Sequence, residues 1–324
     1  MSLKRPIDLL LELIDAKCPK IELTEFLKYT ELAPELRLHI VSYLQEPTLK
    51  NYRECSKYCN AEVKKCTLAP YEVAIENGRD YVHVTIAFPA IKHHDGTELM
   101  QFHILRKEFE KSENVMKDVH EHILKHYKYV KNGRTERLHI TLKEWPKKVM
   151  SIKKLAQSKE WIVDLYPETY ADFMKCVKEN QHQLDYLRIT GYREARITRK
   201  FFKTDFFKRI TRFHFNVQCQ IDDDDFINLE SESVYLVALV SYAAIRQKVE
   251  KMNEAGKKQC IYIIAPEGSP VVFDVNDIFQ PEFYPTQEDG IHRDFRQIGE
   301  VRVMVRTDGT YSQLKLSVKC GLYD

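Results

Sequence analysis

From residue 137 onward, short apolar strands recur at a nearly constant spacing, and that rhythm restricts the architectures open to the chain. RLHITL (137–142), WIVDLY (161–166), LDYLRIT (184–190), TRFHFNV (211–217), SVYLVAL (233–239) and CIYIIAP (260–266) are short, apolar and largely alternating. That is the signature of strands with at least one buried face. Their central inward residues are Ile140, Val163, Leu187, Phe213, Leu236 and Ile261, which fall 23 to 26 residues apart. Helical stretches separate them at 147–158, 168–181 (opened by Pro167), 198–209 and 241–257, the last ending at Gly256. The aspartates Asp222–Asp225 suit the N-terminus of a further short helix, where their charge meets the positive end of the dipole. One strand and one helix cannot bury an apolar face alone, so such units stack and share a core. The expectation is an α/β chain whose strands form a curved parallel sheet in a β/α solenoid. An ordinary doubly wound α/β domain also alternates strands and helices, but the regular period favours the solenoid.

The flanks differ from this rhythm. YVHVTIAF (81–88) alternates as a strand, and 101–107 offers another after the turn His94-Asp95-Gly96. An amphipathic helix is predicted at 112–131, with Val115, Val119, Ile123, Tyr127 and Val130 on its apolar side. Near the end, VRVMVR (301–306) and YSQLKLSV (311–318) flank Thr307-Asp308-Gly309-Thr310. This is a β-hairpin signal, expected to close the array, and 266–290 is expected to be a long loop.

The first seventy residues read as helical. Residues 6–16 carry apolar side chains at 7, 10, 11 and 14, and Pro6 suits a first turn. Thr24 can cap a short helix over 24–29. Leu36, Ile40, Tyr43 and Leu44 then form one stripe at helical spacing, Pro47 breaks it, and a second helix follows from about Thr48 to Lys65. Residues 31–66 resemble an F-box, matching its first half at Leu32, Glu35, Leu36, Ile40, Tyr43 and Leu44 and its second at Leu49, Tyr52, Cys55, Ser56 and Lys57. Pro34 lies one place later than the usual proline, and Cys59 stands where a tryptophan is common. The period of 23–26 residues is that of leucine-rich repeats, without their regular Asn, so the C-terminal region is leucine-rich-like. The whole layout resembles the nematode-type F-box family, in which an F-box precedes a divergent F-box-associated region. The segment 221–236 and the turn Arg306–Gly309 are similar to parts of that region.

The expected organisation is therefore a helical extension over 1–30, an F-box-like motif over 31–67, and a repeat domain over 68–324 with a C-terminal hairpin. The resemblance implies that 31–66 dock on the Skp adaptor of a Skp–cullin–F-box ubiquitin ligase, through Leu32, Pro34, Leu36, Ile40, Tyr43, Leu44, Leu49, Tyr52 and Cys55. An unknown protein substrate would sit on the repeat domain. The strand residues between the inward positions would face it: His139, Thr141, Asp164, Tyr166, Arg188, His214, Asn216, Tyr235 and Tyr262. Tyr and Arg are enriched at binding hot spots. The implied chain is a non-catalytic receptor, with the chemistry on the ligase's conjugating partner. A protein-binding scaffold outside any ligase is the alternative, and an enzyme with a diffuse site is a third reading.

Composition and motifs narrow the remaining classes. The net charge of +2 demands neither a nucleic-acid nor a membrane partner. Eight cysteines are scattered without a disulfide framework. With no Asn-x-Ser/Thr site and no signal peptide, they point to the cytoplasm or nucleus. No stretch reaches the ~18 apolar residues of a membrane helix. No GxxxxGK[ST], GxGxxG or GxSxG occurs, so no nucleotide cofactor or common hydrolase site is implied. His120, His122 and His126 fall short of HExxH because Leu124 stands where the second histidine would be, and a solvated helix face is expected rather than a metal site. Cys55, Cys59 and Cys66 lack a CxxC pair and read as small apolar residues. The basic stretch 192–212 places Phe201, Phe202, Phe206 and Phe207 at helical spacing, so burial against the sheet is expected and nucleic-acid binding is not.

Overall fold

The computed structural model describes residues 69–94, 97–127, 134–180, 182–191, 194–269, 273–279, 287–288, 294–307 and 312–318. The F-box-like residues and the turn between the last two strands lie outside them.

Strands form where side chains alternate between a buried and a half-exposed face. In chain order the elements are β1 (Glu72–Asn77), β2 (Tyr81–His94), β3 (Thr97–Glu110), α1 (Val115–Tyr127), β4 (Arg137–Thr141), α2 (Lys147–Met150), α3 (Lys153–Ala156), β5 (Glu160–Leu165), α4 (Tyr170–Glu179), β6 (Tyr186–Gly191), β7 (Arg196–Ile197), α5 (Arg199–Phe202) and α6 (Asp205–Lys208). They continue with β8 (Arg212–Cys219), α7 (Asp223–Ile227), β9 (Ser233–Ala238), α8 (Tyr242–Ala255), β10 (Gln259–Ile264), α9 (Val275–Ile278), β11 (Gln287–Glu288), β12 (Asp294–Ile298), β13 (Val301–Thr307) and β14 (Ser312–Val318).

The chain clusters into two compact units. One is Met1–Tyr71, Ile86–Arg106 and Glu121–Arg134, and the other is Glu72–Thr85, Lys107–His120 and Thr135–Asp324. In the first, Tyr71 packs on Phe102 with ring centroids 4.7 Å apart, and His126 lies 5.8 Å from Phe88 and 5.3 Å from His122. The second carries the core described below.

The strands hydrogen-bond into one sheet in the order β11-β12-β13-β14-β10-β9-β8-β6-β5-β4-β1-β2-β3, with β7 pairing β8 beside the run. Pairs from β1 through β10 along β4, β5, β6, β8 and β9 are parallel, whereas β10–β14, β14–β13, β13–β12 and β12–β11 are antiparallel. This corrects the expected architecture of a helical F-box module followed by a leucine-rich-like β/α solenoid with a capping hairpin. The described residues form a single large mixed sheet with helices of four to fourteen residues. The reason lies in strand pairing. β14 does not cap the parallel strands but bonds to β10 along its length, from Gln259↔Val318 to Ile264↔Gln313, and extends the sheet. The helical layer is also thinner than expected. The stretch 147–158 splits into α2 and α3, and 198–209 into α5 and α6, each of four residues.

One face of the parallel strands is the core. Leu138, Ile140, Trp161, Val163, Leu165, Leu187, Ile189, Phe213, Phe215, Val234, Leu236, Ile261 and Ile263 are buried, together with helix residues Val149, Leu155, Phe173, Val177, Ile245 and Val249. Phe201, Phe202, Phe206 and Phe207 are all buried, which leaves Arg199, Lys200, Lys203 and Lys208 on the outer side. Local signals set the helix ends. Asp222 caps α7 by accepting from the Asp225 amide at 2.8 Å, and Ser241 caps α8 by accepting from Ala244 at 3.1 Å. Gly256 ends α8 at φ 55, a left-handed turn that other residues adopt at a cost. At Gly191 a Cβ would come within 2.4 Å of the Leu165 carbonyl, so only glycine lets β5 and β6 close there.

Candidate functional site

The opposite face of the same strands is half-buried or exposed, and its residues line up across the sheet. Strand register aligns His139, Ile162, Arg188, His214, Tyr235, Tyr262 and Lys315 in one lateral row. A second row runs Glu72, Arg137, Glu160, Tyr186 and Arg212. A third runs Glu76, Thr141, Asp164 and Thr190.

Over β1, β4 and β5 the face is a closed polar network. Arg137 Nε meets Glu160 at 3.1 Å and its Nη1 lies 3.8 Å from Glu72, while Glu160 also reaches Arg212 at 3.9 Å. His139 Nδ1 lies 3.6 Å from Glu76 and its Nε2 lies 3.1 Å from the Thr141 hydroxyl. Thr141 donates to Asp164 Oδ2 at 2.8 Å, and Thr190 donates to its Oδ1. Both carboxylate oxygens are therefore engaged by protein donors. Asp164→Ala strips two half-buried hydroxyls of their acceptor and is expected to cost about 1–2 kcal/mol of unfolding free energy, read by urea denaturation. A loss below about 0.3 kcal/mol would show that solvent replaces the carboxylate without penalty.

Beyond β6 the face turns aromatic and cationic. His214 and Tyr235 stack at 4.0 Å with 23° between their planes, Tyr235 and Tyr262 follow at 6.3 Å, and Lys315 Nζ sits 4.9 Å over the Tyr262 ring. Arg212 lies 5.8 Å from the Tyr186 ring. An irregularity between Phe215 and Gln218 interrupts the β8–β9 register, and beside it Asn216 Oδ1 holds His214 Nε2 at 2.8 Å. Burial lowers the His214 pKa below its ordinary 6.5, Arg188 adds to this, and the Asn216 bond opposes it. The imidazole is thus mostly uncharged at neutral pH. Burial raises the Tyr262 pKa against the opposing effect of Lys315, so its hydroxyl keeps its proton.

Of the nine face residues expected from strand alternation, His139, Thr141, Asp164, Arg188, His214, Asn216, Tyr235 and Tyr262 lie on this face. Tyr166 does not. It falls one residue beyond β5, precedes the Pro167–Thr169 turn, and is only 8% exposed. The face also contains Ile162, Tyr186, Arg212 and Lys315, which were not among those nine. Leu32, Pro34, Leu36, Ile40, Tyr43, Leu44, Leu49, Tyr52 and Cys55 lie outside the described residues.

Apart from the sheet face, a hollow of about 690 Å³ lies between α2, α3 and α4, and its lining includes Trp145, Met150, Lys153, Cys176, Asn180 and His182. Burial, helped by Glu179 and opposed by a bond from Trp145, pushes the Cys176 thiol up to about 12. It therefore supplies no thiolate at neutral pH. Among the described residues no three His, Cys, Asp or Glu side chains converge as a metal site requires, and no helix is long and apolar enough to cross a membrane.

Comparisons with protein-family models, curated proteins and solved structures each find no match.

Proposed function

We propose that the chain is a non-catalytic receptor. It holds a target protein on the open face of the sheet, and residues 31–66 dock it onto the Skp adaptor of a Skp–cullin–F-box ubiquitin ligase. The observation that carries the binding half is the lateral row of Arg188, His214, Tyr235, Tyr262 and Lys315, a set of planar and cationic side chains on a regular scaffold. Tyr and Arg are enriched among the residues that supply most binding energy where proteins meet, and rigid strands fix them with little entropy left to lose. The adaptor half rests on the F-box resemblance. Its apolar stripe, if left uncovered, would be an aggregation liability that a partner removes, and a standard interface buries ~1,600 Å².

Co-expression with the adaptor, followed by size-exclusion chromatography, tests the adaptor half. A one-to-one complex is expected. The paired Leu36→Asp and Leu44→Asp variant should weaken it by at least ~100-fold, since two carboxylates would enter an apolar contact. A folded chain that forms no complex would overturn the ligase assignment in favour of a protein-binding scaffold.

A further inference from the structure

We infer that the aromatic and cationic half of the open face binds an extended, carboxylate-rich segment of the target protein, lying across the strands from Arg188 to Lys315. The inference rests on the receptor reading only in taking this face as the target site.

Charge is segregated along the sheet. The open face over β1, β4 and β5 carries Glu72, Glu76, Glu160 and Asp164, interleaved with Arg137 and His139. Strands β6, β8, β9, β10, β14 and β13 contain no Asp or Glu at all, whereas Arg188, Arg212 and Lys315 project from their open face. The acids of the first half are engaged by Arg137, His139 and Thr141, and two reach across: Asp164 accepts from Thr190, and Glu160 pairs with Arg212 at 3.9 Å. Arg188 is exposed and makes no ion pair among the described residues. The second half thus presents cationic charge that no acid of its own strands offsets, and an acidic partner complements it.

Ring orientation sets the kind of acidic partner. His214 and Tyr235 stand on the sheet with their flat faces against each other at 4.0 Å and 23°, and Lys315 lies over the Tyr262 ring. Single-stranded nucleic acids are held mainly by stacking bases on free ring faces. On this sheet the facing sides of His214 and Tyr235, and one side of the Tyr262 ring, are taken up by neighbouring side chains. Besides the rings, the row carries a guanidinium, an ammonium and two phenolic hydroxyls, with the Tyr262 hydroxyl already bonded to Lys315 and Cys260. These are donors, and they match carboxylates and backbone carbonyls.

Length fits as well. Four strand-to-strand steps separate β6 from β14, or roughly 19 Å at 4.7–4.9 Å per step. An extended peptide rises about 3.3 Å per residue, so six or seven residues span the row, with alternate side chains facing it. Acidic residues at both ends of such a segment meet Arg188 and Lys315, and the tyrosines lie between.

The test is fluorescence anisotropy with the full chain, using a labelled heptapeptide of alternating Glu and Ser and its Gln-for-Glu twin. The Glu peptide should bind at least ~10-fold tighter than the twin, with an affinity that falls as salt rises. Arg188→Ser with Lys315→Ser, one site exposed and the other half-buried, should weaken it ~10-fold or more while leaving the adaptor complex unchanged. Equal binding of the two peptides, or indifference to the double variant, would overturn the inference. So would an oligouridylate that binds more tightly than the Glu peptide and depends on Arg188, which would make the face a nucleic-acid surface. An unmutated chain that forms the adaptor complex but does not bind the Glu peptide rejects this inference alone. An absent adaptor complex with intact peptide binding rejects only the ligase assignment.

Discussion

Phe201→Ala is expected to lower the unfolding free energy by about 4 kcal/mol, enough to unfold a marginal domain. Phe201 is fully buried and is the hub of an aromatic cluster. Its ring centroid lies 5.7 Å from Phe202, 5.5 Å from Phe207, 5.7 Å from Phe215, 6.0 Å from Phe173 and 6.4 Å from Phe206. Those rings come from α4, α5, α6 and β8, so the cavity left by alanine borders four elements and cannot collapse without moving a strand. Three of these contacts are edge-on, which adds to the area term. Urea denaturation of the two chains measures the difference, with Phe102→Ala as a partner variant. Phe102 is 38% exposed and should lose less than about 1 kcal/mol. A Phe201→Ala loss no larger than that of Phe102→Ala would mean that the cluster repacks around the missing ring, and Phe201 would not be the hub of the core.

The same cluster shows where the sequence is informative and where it is not. Paired phenylalanines at 201/202 and 206/207 point to a buried helical face, and they are buried. Yet one helix over 198–209 would carry them on past Lys203-Thr204. Instead Thr204 starts a new turn by accepting from the Phe207 amide at 3.2 Å. A Thr followed by Asp is a capping signal, present in the sequence but outweighed by the apolar periodicity around it. Strand positions were legible because alternation is a property of each strand alone. Strand partners were not, because pairing depends on residues far away. Nothing in YSQLKLSV indicates that it lies beside CIYIIAP, and that one pairing turns the expected solenoid with a closing hairpin into a continuous mixed sheet.

The open face follows the same rule. Residues two apart share a face, so marking Arg188 and His214 also marks Tyr186 and Arg212, and that signal was available. Ile162 was hidden because an apolar residue on the open face reads as core. Lys315 was hidden because its strand joins the row from the far end of the chain. Tyr166 has the right parity, but parity holds only inside a strand. The chain leaves β5 at Leu165 to enter the Pro167–Thr169 turn, where Thr169 Oγ1 donates to the Tyr166 carbonyl at 2.9 Å, and the tyrosine folds inward.

Lys248→Met is expected to stabilise the protein near neutral pH and to lose most of that advantage in alkali. Lys248 is 3% exposed on α8 and donates to the Leu229 carbonyl, which also accepts from Gln259 Nε2 at 3.1 Å. Burial, reinforced by Lys251 and opposed by Glu230, lowers its pKa from 10.5 to about 8. The folded chain thus binds this proton more weakly than the unfolded chain. Between about pH 8 and 10.5 the unfolded state holds more protons, and stability from this residue rises with pH. Below about 8 the ammonium is charged in both states, and its burial costs the fold up to roughly 3 kcal/mol. Methionine fills similar volume without a charge, and Gln259 still satisfies Leu229. The Met variant should therefore be more stable at pH 7, and about 2 kcal/mol of its lead should vanish by pH 9.5. Tyrosines and cysteines titrate in this range too, but in both chains alike, so the difference between the two unfolding curves isolates Lys248. Parallel curves from pH 7 to 9.5 would show that the ammonium keeps its ordinary proton affinity inside the fold, reached by water along α8.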